Sequence, residues 1–263
     1  MKKLVLALTA VAAFGGSALA ADLPARTYTK APPMIEPVYN WTGFYIFGGA
    51  GGGVWDADSH AVNNATGFPL TIDSRNGGDG WFGTVGAGYD WQFNSNWVAG
   101  IFADGQFGSL RGSINDPNLA LTGRIKEQDA WAVGVRLGYL VAPSVYSYVN
   151  AGYSGSEWSG TTLLNSFSGL PFGLHTGSFT RNGWFVGGGV ENNLNIFGIT
   201  APGWFMKTEY RAAYYNTKTI NELSDVTNAL GPDSVTFRPL TQTISTSLVY
   251  RFNWGGAPVA AKY

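Results

Sequence analysis

The sequence contains no cysteine and only two histidines, His60 and His175. Disulfide bonds, thiolate metal sites and a cysteine nucleophile are therefore excluded. Each histidine stands alone in a polar segment, so we interpret both as ordinary exposed side chains, with a metal or haem contact as the open alternative. Charged residues make up only 13% of the chain, and the net charge of −1 gives no basis for binding to nucleic acid.

Long apolar runs are also missing after residue 20, which excludes a membrane-spanning helix there. Before that point, Met1-Lys2-Lys3 precedes an apolar run that ends in Ala18-Leu19-Ala20, the order typical of an export signal. We predict a signal peptide over residues 1–20, cleaved after Ala20, with an uncleaved anchor as the alternative. Residues 21–40 contain four prolines among polar residues and are interpreted as an extended periplasmic linker.

Glycine and aromatic residues are abundant: there are 37 glycines, about twice the usual share, and aromatics reach 15%. Many of them fall in segments where apolar and polar residues alternate at every second position, as they do in strands. In residues 183–191, for example, Trp184, Val186 and Val190 share one face and Glu191 lies on the other. The eight predicted strands cover residues 41–55, 81–92, 97–107, 130–139, 145–154, 183–191, 204–214 and 242–252.

Strands of about ten residues have the length that tilted strands need to cross a membrane. The connections after the first, third, fifth and seventh strands are long and polar, over residues 56–79, 110–128, 155–181 and 216–240. We therefore predict an all-β protein: an eight-stranded antiparallel transmembrane β-barrel over residues 41–252, with long external loops, short periplasmic turns and a C-terminal tail over residues 253–263. A soluble exported barrel that binds a ligand is the alternative.

Tryptophan and tyrosine recur near the ends of the apolar faces, where the sequence predicts contact with the bilayer interface. The predicted interface aromatics are Trp81, Trp91, Trp97, Trp131, Tyr139, Trp184, Trp204, Tyr210, Tyr214 and Tyr250.

The opposite faces carry three acids and four bases, which we predict to form an ion-pair network inside the barrel. These residues are Asp104, Arg136, Glu191, Lys207, Glu209, Arg211 and Arg251. A catalytic pair of carboxylates is the alternative for the acids, but their interleaving with bases favours structural ion pairs. We accordingly predict no enzymatic activity, no metal and no cofactor.

An eight-stranded barrel has room inside only for side chains, which favours a packed interior. A narrow porin-like channel for small solutes or ions is the alternative, because glycines on the inward face leave volume there. Gly187 is one of these glycines, and the sequence predicts that serine is tolerated at this position.

Five motifs along the mature chain form a combination that is more specific than any one of them. They are Asn40-Trp41-Thr42-Gly43-Phe44-Tyr45, Arg136-Leu137-Gly138-Tyr139, the glycine-rich segment 183–191, Lys207-x-Glu209-Tyr210-Arg211 and Tyr250-Arg251-Phe252. The combination resembles the small outer-membrane barrels of alphaproteobacteria, the outer-membrane immunogenic or porin-like proteins, which are similar to OmpA/OmpX-type barrels.

The resemblance implies an integral protein of the Gram-negative outer membrane with a structural or surface-interaction role. The expected partners are outer-membrane lipid and the outer-membrane assembly machinery, for which Phe252 or Tyr263 is the candidate signal. An extracellular ligand at the loops is an open alternative, and so is haem, because some members of the family bind it.

Overall fold

The computed structural model describes residues 40–196 and 199–252 of the chain. The predicted signal peptide, the predicted linker except for its last residue, and the C-terminal tail with Tyr263 lie outside these residues. Within the described residues, no helix is long and apolar enough to cross a membrane.

Twelve antiparallel strands make up the described structure. They are β1 (Gly43–Ser59), β2 (Ala61–Asn63), β3 (Ser74–Phe93), β4 (Trp97–Asp116), β5 (Leu121–Ala142), β6 (Val145–Trp158), β7 (Thr161–Asn165), β8 (Pro171–Thr176), β9 (Phe179–Ile196), β10 (Ile199–Tyr215), β11 (Lys218–Ser224) and β12 (Leu230–Phe252). Eight of them form a ring in the order β1-β3-β4-β5-β6-β9-β10-β12, and the pairing of β12 with β1 closes it. The predicted eight-stranded antiparallel barrel is therefore confirmed.

Short turns connect the strands at one end of the barrel. Residues 94–96 join β3 to β4, and residues 143–144 join β5 to β6. Asn94 has a left-handed φ of 59°, a conformation that asparagine tolerates better than most residues. These turns agree with the predicted periplasmic connections.

The opposite end differs from the prediction of long loops, because the strands continue well past the lipid-facing region. We call residues 55–79, 108–128, 156–182 and 216–241 the extension. Most of it is strand: β4 runs to Asp116, β5 starts at Leu121, and β7, β8 and β11 continue the neighbouring barrel strands. The outward side chains here meet water instead of lipid, so the sequence loses the apolar alternation on which the strand prediction depends.

Buried apolar side chains form three clusters in the barrel and its extension. Next to the buried charges lie aromatic residues such as Trp41, Tyr45, Phe185 and Phe205. A second apolar cluster occupies the extension, where the rings of Trp55 and Trp158 meet edge to face with centroids 5.0 Å apart. Three leucines form a third cluster near the tips: Leu121, Leu163 and Leu174.

The outer wall between the turns and the extension is apolar. The ten predicted interface aromatics all point outward there, with Tyr250 half-buried and the other nine exposed. On β5, for example, Trp131 and Tyr139 bracket the exposed Val133, Val135 and Leu137. Lipid is the solvent that suits such a surface, since aromatic rings with a polar tip favour its two interfaces.

Candidate functional site

The first part of the candidate site is a cluster of four buried charges near the turn end of the barrel. Arg136 on β5 donates from Nε to Asp90 Oδ1 at 2.9 Å and from Nη2 to Asp90 Oδ2 at 2.6 Å. Its Nη1 donates to Glu191 on β9 at 3.2 Å, and Arg251 on β12 donates from Nε to the same carboxylate at 2.8 Å. Arg251 Nη1 lies 2.8 Å from Asp90 Oδ2. The cluster thereby connects four strands across the barrel interior.

Aromatic rings cover both guanidinium groups of this cluster. The Arg136 guanidinium carbon lies 4.2 Å from the centroid of Tyr45, and that of Arg251 lies 4.4 Å from the centroid of Trp41. Arg251 Nη1 also donates to the Trp41 carbonyl oxygen at 3.2 Å. Cations held over ring faces are stabilised by the ring quadrupole, particularly where water is excluded. The cluster is thus enclosed by aromatic side chains as well as paired.

A second buried cluster joins β4 to β10. Arg211 makes a bidentate pair with Asp104, from Nη1 at 3.0 Å and from Nη2 at 2.9 Å, and its Nη2 also donates to Glu209 at 2.8 Å. Lys207 Nζ lies 3.7 Å from Glu209 Oε2 and 3.4 Å from the centroid of Phe47. All seven charged residues that the sequence predicted for the interior are therefore buried and brought into these two clusters.

Asp90 is the one member of the clusters that the predicted network leaves out. It is fully buried and pairs with both Arg136 and Arg251. The signal was present in the sequence, because Asp90 alternates with Trp91 and so falls on the inward face of its strand. Counting it, four acids meet four bases among these interior residues.

Aromatic rings occupy the space beside the inward-facing glycines. A Cβ placed on Gly86 would collide with the ring of Phe47, and one on Gly88 would collide with Tyr45. At Gly187 a Cβ would lie 2.6 Å from Asn150 Oδ1 and against the carbonyl oxygen of Tyr210. The glycines make room for neighbouring side chains and do not leave free volume, so the predicted tolerance of serine at Gly187 is wrong.

The extension holds a different arrangement of titratable groups. His60 Nδ1 lies 2.8 Å from Asp73 Oδ1, and His175 Nδ1 lies 2.8 Å from Asp225 Oδ1. Across residues 40–196 and 199–252, no group of three or more histidines, cysteines and acids is arranged to hold a metal ion.

One buried acid in the extension has no hydrogen-bond partner. Both carboxylate oxygens of Glu222 on β11 are enclosed and unbonded. Burial, followed by the nearby carboxylates of Asp116 and Asp233, raises the pKa of Glu222 from 4.5 to about 8. Burial also raises the pKa of Asp116. The extension therefore holds a carboxyl group whose pKa lies well above the usual range for glutamate.

The comparisons with known proteins agree with the barrel and its lipid-facing wall. A family model for the outer membrane protein beta-barrel domain matches residues 6–252. The chain belongs to this family. The 31 kDa outer-membrane immunogenic protein of Brucella melitensis biotype 1 is 31% identical to it over 260 residues, covering 96% of this chain and 100% of the relative. The protein of the same name from Brucella suis biovar 1 has the same identity and coverage.

Among solved structures, the outer membrane protein OprG from Pseudomonas aeruginosa resembles this chain with a TM-score of 0.51 at 10% sequence identity. The match covers 80% of this chain and 97% of OprG, and it shows the fold alone. The family membership places the chain in the outer membrane, with lipid around its apolar wall. This is a family of outer-membrane barrels and not a family of enzymes.

Proposed function

We propose that this protein is a closed, non-conducting barrel that anchors its extension at the cell surface. The observation that carries the proposal is the pairing of Arg136 with Asp90 and Glu191 across the interior, under the rings of Tyr45 and Tyr148. Such a paired and enclosed layer leaves no row of solvated charges for an ion to follow. The function is then structural and surface-interactive, without catalysis.

The length of the extension supports a role at the surface. Strands that continue beyond the lipid-facing wall cost chain length that anchoring alone does not need, and they end in turns that face the medium. The Brucella relatives are named as immunogenic proteins, which is consistent with exposure of the corresponding regions outside the cell. We propose the same role of surface antigen here.

We also propose how the protein is exported and how it is assembled into the outer membrane. The leader over residues 1–20 directs export and is removed after Ala20. The outer-membrane assembly machinery then recognises the end of the barrel, where β12 finishes at Phe252. Phe252 is the first candidate for this signal, because it is the aromatic residue that ends the alternating segment Tyr250-Arg251-Phe252. Tyr263 is the second candidate.

Conductance in planar bilayers tests the closed barrel. The refolded wild-type protein is expected to show no discrete current steps, while heat-shifted gel mobility and co-sedimentation with the lipid verify that it has folded and inserted. Arg136→Ala and Glu191→Ala are measured alongside it. Discrete wild-type steps that change in either variant would replace the closed barrel with the narrow channel.

A further inference from the structure

The hairpin tips of the extension repeat one turn. Residues 63–70 and 165–172 both read Asn, two residues, Thr or Ser, Gly, apolar, Pro, apolar. Asn63 Oδ1 accepts from the backbone N–H groups of Ala65 and Thr66 at 3.0 Å, and Asn165 Oδ1 accepts from those of Phe167 and Ser168 at the same distance. The glycine of each motif has a left-handed φ, 73° at residue 67 and 69° at residue 169. The tips are thus defined turns held by their own side chains.

Hydrogen bonds also join the tips to one another. Asn64 Nδ2 donates to the Gly231 carbonyl oxygen at 2.8 Å, and the Ser166 N–H donates to the Ala120 carbonyl oxygen at 2.8 Å. The remaining links run from the Asp225 N–H to the Gly173 carbonyl oxygen at 2.9 Å and from Asn118 Nδ2 to Asp233 Oδ2 at 2.6 Å. The other two tips are residues 117–120, between β4 and β5, and residues 225–229, between β11 and β12. The hydrogen bonds therefore join all four hairpins of the extension into one preorganised surface.

That surface presents apolar side chains to the medium. The exposed fraction is 92% for Val226, 89% for Phe167 and Ile72, and 72% for Phe68. We give the name crown to six of these exposed side chains: Phe68, Ile72, Phe167, Leu170, Phe172 and Val226. The crown lies at the end of the molecule opposite the periplasmic turns, beyond the lipid that surrounds the wall. Large exposed apolar patches mark interaction sites.

The scarcity of charged residues around the crown limits the kinds of partner that it can bind. Residues 63–72 and 165–172 contain no charged residue, and Asp73, which directly follows the first of these segments, is paired with His60. Residues 225–232 contain only Asp225, which is paired with His175. A surface without lysine or arginine has nothing with which to attract phosphate-rich or acidic partners. Protein interfaces draw their binding energy mainly from Trp, Tyr and Arg, and the crown has none of these. Phe, Leu, Ile and Val side chains on well-defined turns are suited to insertion between the headgroups and acyl chains of a lipid bilayer.

We propose that the crown inserts into the interfacial region of a second lipid bilayer facing the cell, one with neutral, zwitterionic headgroups. The proposal rests on the proposed function, because it requires the extension to stand outside the membrane that anchors the barrel. It adds the chemistry of the surface that the extension meets.

Flotation with phosphatidylcholine vesicles tests this contact. The barrel is embedded in nanodiscs, so that its wall is already in lipid and only the extension is free. Wild-type nanodiscs are expected to float with the vesicles equally at low and high salt, because the contact is apolar. In the triple variant Phe68→Ser, Phe167→Ser, Val226→Ser, the fraction of protein that floats with the vesicles should fall roughly tenfold or more. Lys218→Gln, outside the crown, should leave that fraction unchanged.

The absence of cysteine provides a second, independent readout. An environment-sensitive fluorophore attached at Ser166→Cys, next to Phe167 of the crown, should become brighter when vesicles are added. The same label at Thr180→Cys, on the exposed outer face of the extension and away from the crown, should not. Equal responses at the two sites, or flotation that persists in the triple variant, would overturn the proposal. Flotation that requires anionic lipid or disappears at high salt would overturn it too. Conductance of the same nanodisc protein in planar bilayers reports on the closed barrel separately, so failure of one proposal is distinguishable from failure of the other.

Discussion

The hydroxyl group of Tyr148 donates a 2.8 Å hydrogen bond to Glu209 Oε2, and the ring of the same residue lies 5.1 Å from the guanidinium of Arg136. One side chain on β6 therefore touches both buried ion clusters, the one around Asp90 and Glu191 and the one around Asp104 and Arg211. We therefore expect loss of pairing in one cluster to weaken the other, because both lie in an interior that excludes water.

Tyr148→Phe should destabilise the barrel by about 1–3 kcal/mol, because it removes the hydrogen bond to Glu209 while it keeps the ring beside Arg136. Urea unfolding in lipid measures the change. A double-mutant cycle with Glu209→Gln isolates the bond, and additive effects in that cycle would show that the two residues are not coupled.

Arg136→Ala should lower the free energy of unfolding by about 3–5 kcal/mol. The buried carboxylates of Asp90 and Glu191 would then share a single guanidinium group, that of Arg251. The expected signature is a lower temperature for the heat shift in gel mobility. Arg124→Ala provides the control, since Arg124 is exposed on the outer wall of the extension. Similar losses in the two variants would argue against a buried network at Arg136.

Val135→Arg should cost about 2–4 kcal/mol of folding free energy in lipid, because Val135 faces the bilayer near its middle. Its side chain is 59% exposed and lies halfway between Trp131 and Tyr139 on β5. Val186→Arg is the matched change closer to the interface, two residues from Trp184, and should cost less. Refolding yield and urea unfolding in vesicles give both values, and an equal cost at the two depths would contradict the assigned wall.

Glu222→Gln should stabilise the protein at alkaline pH. The pKa of Glu222 is about 8 in the folded state against 4.5 ordinarily, so the folded chain binds more protons between these values. Stability is then expected to fall as the pH rises through this window and to level off above it. The variant stays neutral and avoids that loss.

The measurement is the urea midpoint of wild type and variant at pH 4 and at pH 9. The two proteins should differ little in acid, and the variant should have the higher midpoint in base. Glu157→Gln, on the exposed outer face of the extension, should change neither value. A midpoint for Glu222→Gln below that of wild type at pH 9 would show that the carboxylate is bound by a partner when charged.

The alternation of apolar and polar residues along each strand predicts which side chains point into the barrel and which point outward. It separates Trp184 and Val186 from Glu191 within one strand, and it puts Asp90 opposite Trp91. It fails for the start of β1, where both faces are apolar and only the pairing with β3 and β12 turns Tyr45 inward and Phe44 outward. It fails again in the extension, where water replaces lipid on the outer face.

The sequence by itself determined that this chain is a membrane-embedded barrel, since periodicity, strand length and aromatic placement are properties of each strand alone. Only the tertiary structure decided which charges meet, because Arg136 and Asp90 are 46 residues apart and are brought together by ring closure and register. The same applies to the glycines, whose apparent free volume is occupied by rings from neighbouring strands, and to the crown, whose tips become one surface only when four hairpins converge. Local pattern fixes the two faces of a strand, whereas contacts across the barrel depend on how all eight strands close.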